Sequence, residues 1–356
     1  MIDFRYHLVS IIAVFLALTV GLVLGTTMLQ DPLLNTLQNE TADLRGQTED
    51  LRTERDVADR VNAGGDQLAD AAAEDLLHDR LRDLDVVLVQ APGADADTAA
   101  ALGDRIEEAG GSVAGRVEVR SEFVDPANTA FVDELSLQVS ADPGGLEGVG
   151  TYEKAGTEIG RALARGPERD TDADGDGEGD GEKDDKDEKD GHDPAATLAT
   201  FVEGGLVSVH GDPAGTVDAA VVLAPASAEQ AGHEDREAVN TVLAAFTAAL
   251  HGRVEGLVLA GDVPSSRGHG MLARARAEEA VFATVDMAGR PMGDIVAVLA
   301  LAEDIGGDGG AYGVGEGVRG FMPDPLPEPR ESASPSPSPS PSPGGDEARR
   351  ASREGE

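Results

Sequence analysis

The chain has 356 residues, with 28 Lys and Arg against 68 Asp and Glu and a formal net charge of −40. That sign excludes a duplex nucleic-acid binder, which needs a basic face to displace counterions from phosphate. Cysteine is absent, which excludes disulfides, thiolate zinc sites, iron–sulfur clusters and cysteine nucleophiles; with aromatics at 3%, any core has to come from Ala, Val, Leu and Ile.

The first element is an uncharged run from Leu8 to Gly25, in which only Ser10 and Thr19 are polar. As a helix it spans about 27 Å, enough for a bilayer core. A cleaved signal peptide is the competing reading, but the run exceeds a usual h-region and no clear A-x-A site follows it. Arg5 precedes the run, while Asp31, Glu40 and Asp43 follow it before the first cation, Arg45. The positive-inside tendency then predicts residues 1–7 in the cytoplasm, an anchor over 8–28 and the remainder outside a cell membrane crossed once. Ala13, Ala17, Gly21 and Gly25 recur every four residues, a small-residue face that lets two helices approach closely in lipid.

Leu37, Leu44, Leu51 and Ala58 lie seven apart, with Leu34, Thr41, Thr48 and Arg55 three residues before each. One good seam position and one poor one predict a short coiled-coil stalk over 32–62 and, with the small-residue face, a homo-oligomer. The alternative is a single amphipathic helix packed on the next domain. Gly64-Gly65 interrupt the pattern, and a second helix is expected over Asp66–Leu81.

From Asp85 the pattern changes to that of an α/β domain. Its first half, 66–166, contains a strand at DVVLVQ, a helix over Thr98–Ala109 and a strand over Ser112–Arg120, with helical segments near Asp125–Val139 and Tyr152–Arg165. Residues 167–194 hold an acidic insert; within Glu168–Asp193 there are 14 acids, four cations and no apolar residue larger than Ala. Such a segment buries too little to offset its ordering entropy, so disorder is expected. The second half, 195–322, reads as a helix at Ala195–Gly204, a strand at Val217–Ala224, a helix at Glu234–Leu250, a strand at Val254–Ala260, a helix at Met271–Ala280, a strand at Val281–Asp286 and a helix at Pro291–Ile305. Short apolar runs alternating with helices predict a parallel, doubly wound sheet covered on both faces. Residues 323–356, with their SPSPSPSPSP repeat, read as an extended, disordered tail.

Four patterns bear on chemistry. Copper(I) favours thioether and thiolate ligands and copper(II) favours imidazole. The nearest grouping in sequence is His269 with Met271, joined by His251, Met287 and Met292 only if the fold gathers them, and methionine at such positions more often fills a core. Asp172, Asp174, Asp176 and Gly177 match the start of a calcium loop, but position twelve is Lys183 where a bidentate Glu is expected; starting at Asp174 puts Asp185 there instead. The stretch reads as a solvated linker. Gly315–Gly320 spells GxGxxG without a preceding strand or a following helix, which makes it a structural loop. The carboxyl ends of the strands, where open α/β sheets bind ligands, carry Pro92-Gly93, Pro225-Ala226-Ser227, Asp262 with Ser265, Ser266, Arg267 and His269, and Asp286. Asp262 and Asp286 could pair as general acid and base, or simply end strands and cap turns. No nucleophile–base–orienter set, GxSxG or HExxH is present, so no enzymatic function is expected and no cofactor is evident.

Two segments carry a family resemblance: FRYHLVSIIAVFLALTVGLVLGTT near the N-terminus and TVDMAGRPMGDIVAVLALAEDIGGDGGAYGVGEG at 284–317. Together with the order of anchor, stalk, βαβ unit and second α/β half, they resemble the actinobacterial MctB-type copper transport family over roughly residues 1–325. The resemblance implies a membrane-associated envelope protein linked to copper homeostasis, and its mycobacterial name implies an outer-membrane pore. The sequence lacks the alternating ten-residue strands of a lipid-facing barrel, and one helix cannot conduct alone. The resemblance also implies association with envelope and division-septum proteins. The expected function is therefore a membrane-anchored protein of copper homeostasis that acts by binding and assembly, with a septal or cell-wall scaffold docking a partner protein as the alternative. A degenerate enzyme using the strand-end cleft is the third. Copper enters through the resemblance alone.

Overall fold

The computed structural model describes residues 3–166, 193–226 and 236–331, with side-chain surroundings described for all of these except 3 and 26–37. The stretch that resembles a calcium loop, most of the acidic insert, Ser227 and the repeat-bearing part of the tail lie outside the described residues. The chain divides into two units, Met1–Gly65 and Asp66–Glu356.

The described residues of the first unit are helical, belonging to helix α1 (Asp3–Leu77). Within it Phe4–Gly25 is long and apolar enough to cross a membrane, and its large side chains are exposed all round, from Leu8 and Val20 at 51% to Phe4 at 78%. The expected break at Gly64-Gly65 does not occur. Glycine lowers helix propensity by about 1 kcal/mol but keeps its N–H donor, so good helix formers on both sides carry the helix through. It stops instead where Asp79 and Asp83 adopt left-handed backbone, φ 57° and 60°. Residues 32–62 form one helix with Leu44 and Leu51 exposed; the coiled coil is not shown.

The second unit is built on a seven-stranded sheet. Its elements run β1 (Asp85–Gln90), α2 (Ala96–Glu108), β2 (Ser112–Val119), α3 (Ser121–Val124), α4 (Thr129–Val139), α5 (Thr151–Leu163), α6 (Pro194–Glu203), β3 (Val207–Gly211), β4 (Ala219–Leu223), α7 (Arg236–His251), β5 (Gly256–Ala260), α8 (Met271–Ala277), β6 (Ala283–Val285), α9 (Pro291–Ile305) and β7 (Ala311–Tyr312). The strand order is β3-β2-β1-β4-β5-β6-β7. All neighbours are parallel except β3, which runs antiparallel to β2. Strands β3 and β7 were not among the expected elements. The continuous apolar runs are explained by burial on both faces. Val87, Val89, Ala220, Val222, Leu257 and Leu259 face one core with α3 to α8. Val86, Leu88, Ala219, Val221, Val258 and Ala260 face the other, with α2, α9 and the last turns of α1.

Small residues set the helix spacing. A Cβ on Gly156 of α5 would collide with the Phe246 carbonyl of α7, and one on Gly160 would stand 3.0 Å from Arg253 Cβ. At the amino ends of the strands, Arg165 bridges Asp218 and Asp85 at 2.6 Å each; those carboxylates hold its guanidinium above its usual value. Residues 323–331, expected to begin the free tail, lie against the fold: Arg80 donates to the Pro327 carbonyl, and the Arg330 N–H donates to the Asp79 carbonyl at 2.8 Å.

Candidate functional site

The strand order reverses between β1 and β4, so the carboxyl ends of these strands form the switch point of the sheet. The Pro92-Gly93 and Pro225-Ala226 turns meet there, and the Ala226 N–H donates to the Gly93 carbonyl at 2.9 Å. Gln90, the last residue of β1, is 6% exposed and its Oε1 has no hydrogen-bond partner.

The remaining strand-end candidates lie around β5, β6 and the glycine-rich loop after β7. Asp262 caps the short turn Val263–Ser266, accepting the Ser265 N–H at 3.0 Å. The Ser265 hydroxyl returns a bond to the Asp262 carbonyl at 2.6 Å, and the Ser266 hydroxyl donates to the Val263 carbonyl at 2.8 Å. Both serines are buried, whereas Arg267 and His269 are exposed. The structure thus brings Ser266 together with Asp286 and leaves Arg267 and His269 on the surface.

Asp286 is fully buried and its carboxylate takes three donors. They are Arg276 Nη1 at 2.8 Å, the Val314 N–H at 2.8 Å and the Gly315 N–H at 2.9 Å. Arg276 also donates to Thr284 Oγ1 at 3.0 Å, the Tyr312 carbonyl at 3.1 Å and the Glu316 carbonyl at 3.3 Å. This cradle explains the AYGVGEG spelling. Gly313 has φ 121°, and a Cβ on it would enter the Asp286 carboxylate; a Cβ on Gly315 would strike Ser266 Oγ and Asp286. The loop is closed at its base by the Arg319 N–H on the Ala311 carbonyl, 2.7 Å, and the Gly313 N–H on the Gly320 carbonyl, 3.1 Å. Tyr312 donates its hydroxyl to Glu303, and burial, with that partner, pushes the phenol up to about 12. Asp286 therefore spends its oxygens on holding a loop. Arg276 was not singled out in the sequence: it sits ten residues from Asp286 on a separate element, and no periodicity links them. The glycines of the loop were the one legible signal.

The copper-directed residues lie in different surroundings. His269 Nδ1 lies 3.2 Å from Glu237 at the surface, while Met271 is 1% exposed in the core. His251 Nε2 is 3.2 Å from Asp304, whose carboxylate also accepts the Leu257 N–H at 2.8 Å. Met287 is 8% exposed and Met292 is half-buried. Among the described residues no three His, Asp or Glu side chains are grouped to hold a metal ion.

Residues 1–323 match the family described as "Copper transport outer membrane protein, MctB". The chain is 31% identical over 323 residues to the proteins named "Copper transporter MctB" of Mycobacterium tuberculosis and Mycobacterium bovis, covering 89% of this chain and 98% of each relative. It is 30% identical over 326 residues to the protein of that name in Mycobacterium leprae, with the same coverage. A match over nearly the full length, spanning both the apolar helix and the loop that encloses Asp286, shows that the chain belongs to the MctB copper transport family.

Proposed function

We propose that this protein is a single-pass, membrane-anchored component of the cell envelope in the copper transport family, acting by binding and assembly and not by covalent catalysis. The observation that carries this reading is the apolar helix Phe4–Gly25, whose side chains are exposed all round. A helix of that kind is stable in lipid, not in water. The residues before it face the cytoplasm and the α/β unit lies outside, as the charge asymmetry favours. Self-association uses the Ala13, Ala17, Gly21 and Gly25 face in lipid and the Leu37, Leu44, Leu51 and Ala58 stripe beyond it. Copper is cargo in this reading, and a conducting path is assembled from several copies because one helix encloses no channel. The strand-end carboxylates support the non-catalytic part: Asp286 is committed to its loop and Asp262 caps a turn.

Carbonate extraction combined with protease access to intact cells tests the anchor and its orientation. Retention in the membrane with the α/β unit cleaved from outside is the expected result; release of the full-length chain, or protection of that unit, overturns it. A deletion strain then tests the cargo. Reduced copper tolerance supports the transport role, while unchanged tolerance with altered septa moves the function to an envelope scaffold docking a partner protein.

A further inference from the structure

The carboxyl at the start of α9 is buried without an ion pair of its own among the described residues. Asp294 is 2% exposed and lines a cavity of about 390 Å³ between α2 and α9. It accepts one hydrogen bond, from the Gly289 N–H at 2.9 Å. Two arginines reach this region and both are engaged. Arg105 of α2 holds Asp70 of α1 and, at 2.7 Å, Glu108. Arg290, just before α9, holds Asp66 of α1 at 2.6 Å. The other oxygen of Asp66 is buried without a partner. Asp66, Asp70 and Glu108 thus set three carboxylates against two guanidinium groups before Asp294 is counted. The cavity wall adds Asp97, Asp104 and Asp95, the last occupied in capping Thr98. A further buried negative charge here gains little attraction and meets several like charges.

We propose that Asp294 is a proton-operated latch on the last turns of α1. With the carboxyl neutral, Arg105 and Arg290 stay on Asp70 and Asp66 and clamp the segment that buries Ala73 and Leu77 against α2 and α9. With the carboxyl ionised, Asp294 repels Asp66 and Asp70 and draws Arg105 toward itself, and the clamp loosens. Its proton is held into the mildly acidic range: burial, the largest cause, pushes the carboxyl up to about 6, the Gly289 N–H and Arg105 oppose this, and Asp66 and Asp70 reinforce it.

Amide hydrogen exchange of the full chain in detergent micelles at pH 5 and pH 7.5, corrected for intrinsic exchange, tests the latch. Amides of residues 68–77 are expected to open on the order of tenfold more often at pH 7.5, while those of β4 and β5 do not change. Asp294→Asn should give the low-pH protection at both pH values. Asp70→Asn, which removes one repelled charge, should shrink the pH dependence. Equal protection of wild-type residues 68–77 at both pH values overturns the proposal, whether or not the variants fold. So does an undiminished dependence in either variant.

Discussion

The part of α1 before Gly65 and the α/β unit after it are both rich in Ala, Leu, Val and Gly, yet they use these residues in opposite ways. In the first, the described apolar side chains are exposed along a single helix and Gly46 has nothing within 4 Å of where a Cβ would stand. In the second, apolar side chains fill two cores and Gly156 admits the backbone of a neighbouring helix. Composition alone therefore does not reveal what a glycine or a leucine contributes. The same residue is a packing determinant where elements cross and a weak point where a helix runs exposed.

The sharpest way to break the second region is at Asp286. Asp286→Ala leaves Arg276, whose side chain is 9% exposed, without its carboxylate and frees the loop N–H groups. A loss of about 3–5 kcal/mol is expected in denaturant unfolding of the α/β unit, with no change in membrane retention. Next comes Asp294→Asn. The folded-state value near 6 exceeds the ordinary 3.8, so the wild-type fold is penalised as pH rises from about 4 to about 6, and the penalty is constant above that. The variant should be more stable by on the order of 3 kcal/mol at pH 7, a gain that vanishes below about pH 4; a gain independent of pH would contradict this account.

The last two predictions form a pair of identical substitutions with opposite signs. Gly156→Ala should cost about 1–3 kcal/mol, since α5 has to move off the Phe246 carbonyl and Ala249. Gly46→Ala should raise helix stability by about 0.5–1 kcal/mol, because it meets nothing and lowers the entropy lost on folding. Thermal melts monitored by circular dichroism compare the two. Equal signs would mean that the two regions are not partitioned as described.

The central strands were legible because each is a short apolar run buried on both faces; DVVLVQ and the cores of VDAAVVLA and VEGLVLA became β1, β4 and β5. Strand β3 was not, because VSVHG is half-exposed and owes its state to antiparallel pairing with β2. Strand β7 is two residues long and has no pattern to read. The same limit applied to the site. Asp286 and the loop glycines stood out as a strand end and a punctuation run, but Arg276 joins them only through tertiary packing. The acidic cluster around Asp294 is assembled from α1, α2 and α9, and no local spacing announces it.

The pinning of the C-terminal segment has a consequence for how the folded unit can be extended. Arg330 and Pro327 attach to Asp79 and Arg80, next to where α1 ends. Arg165, two residues before the acidic insert, is tied to Asp85 and Asp218, and Gly215, which leads into β4, stands beside Pro194, the insert's last residue. The end of α1, the pinned C-terminal segment and the acidic splice point thus gather at one pole of the sheet, the amino ends of its strands. Segments can be lengthened, trimmed or tagged there while the opposite pole, with the Asp286 loop and the switch point, keeps its shape.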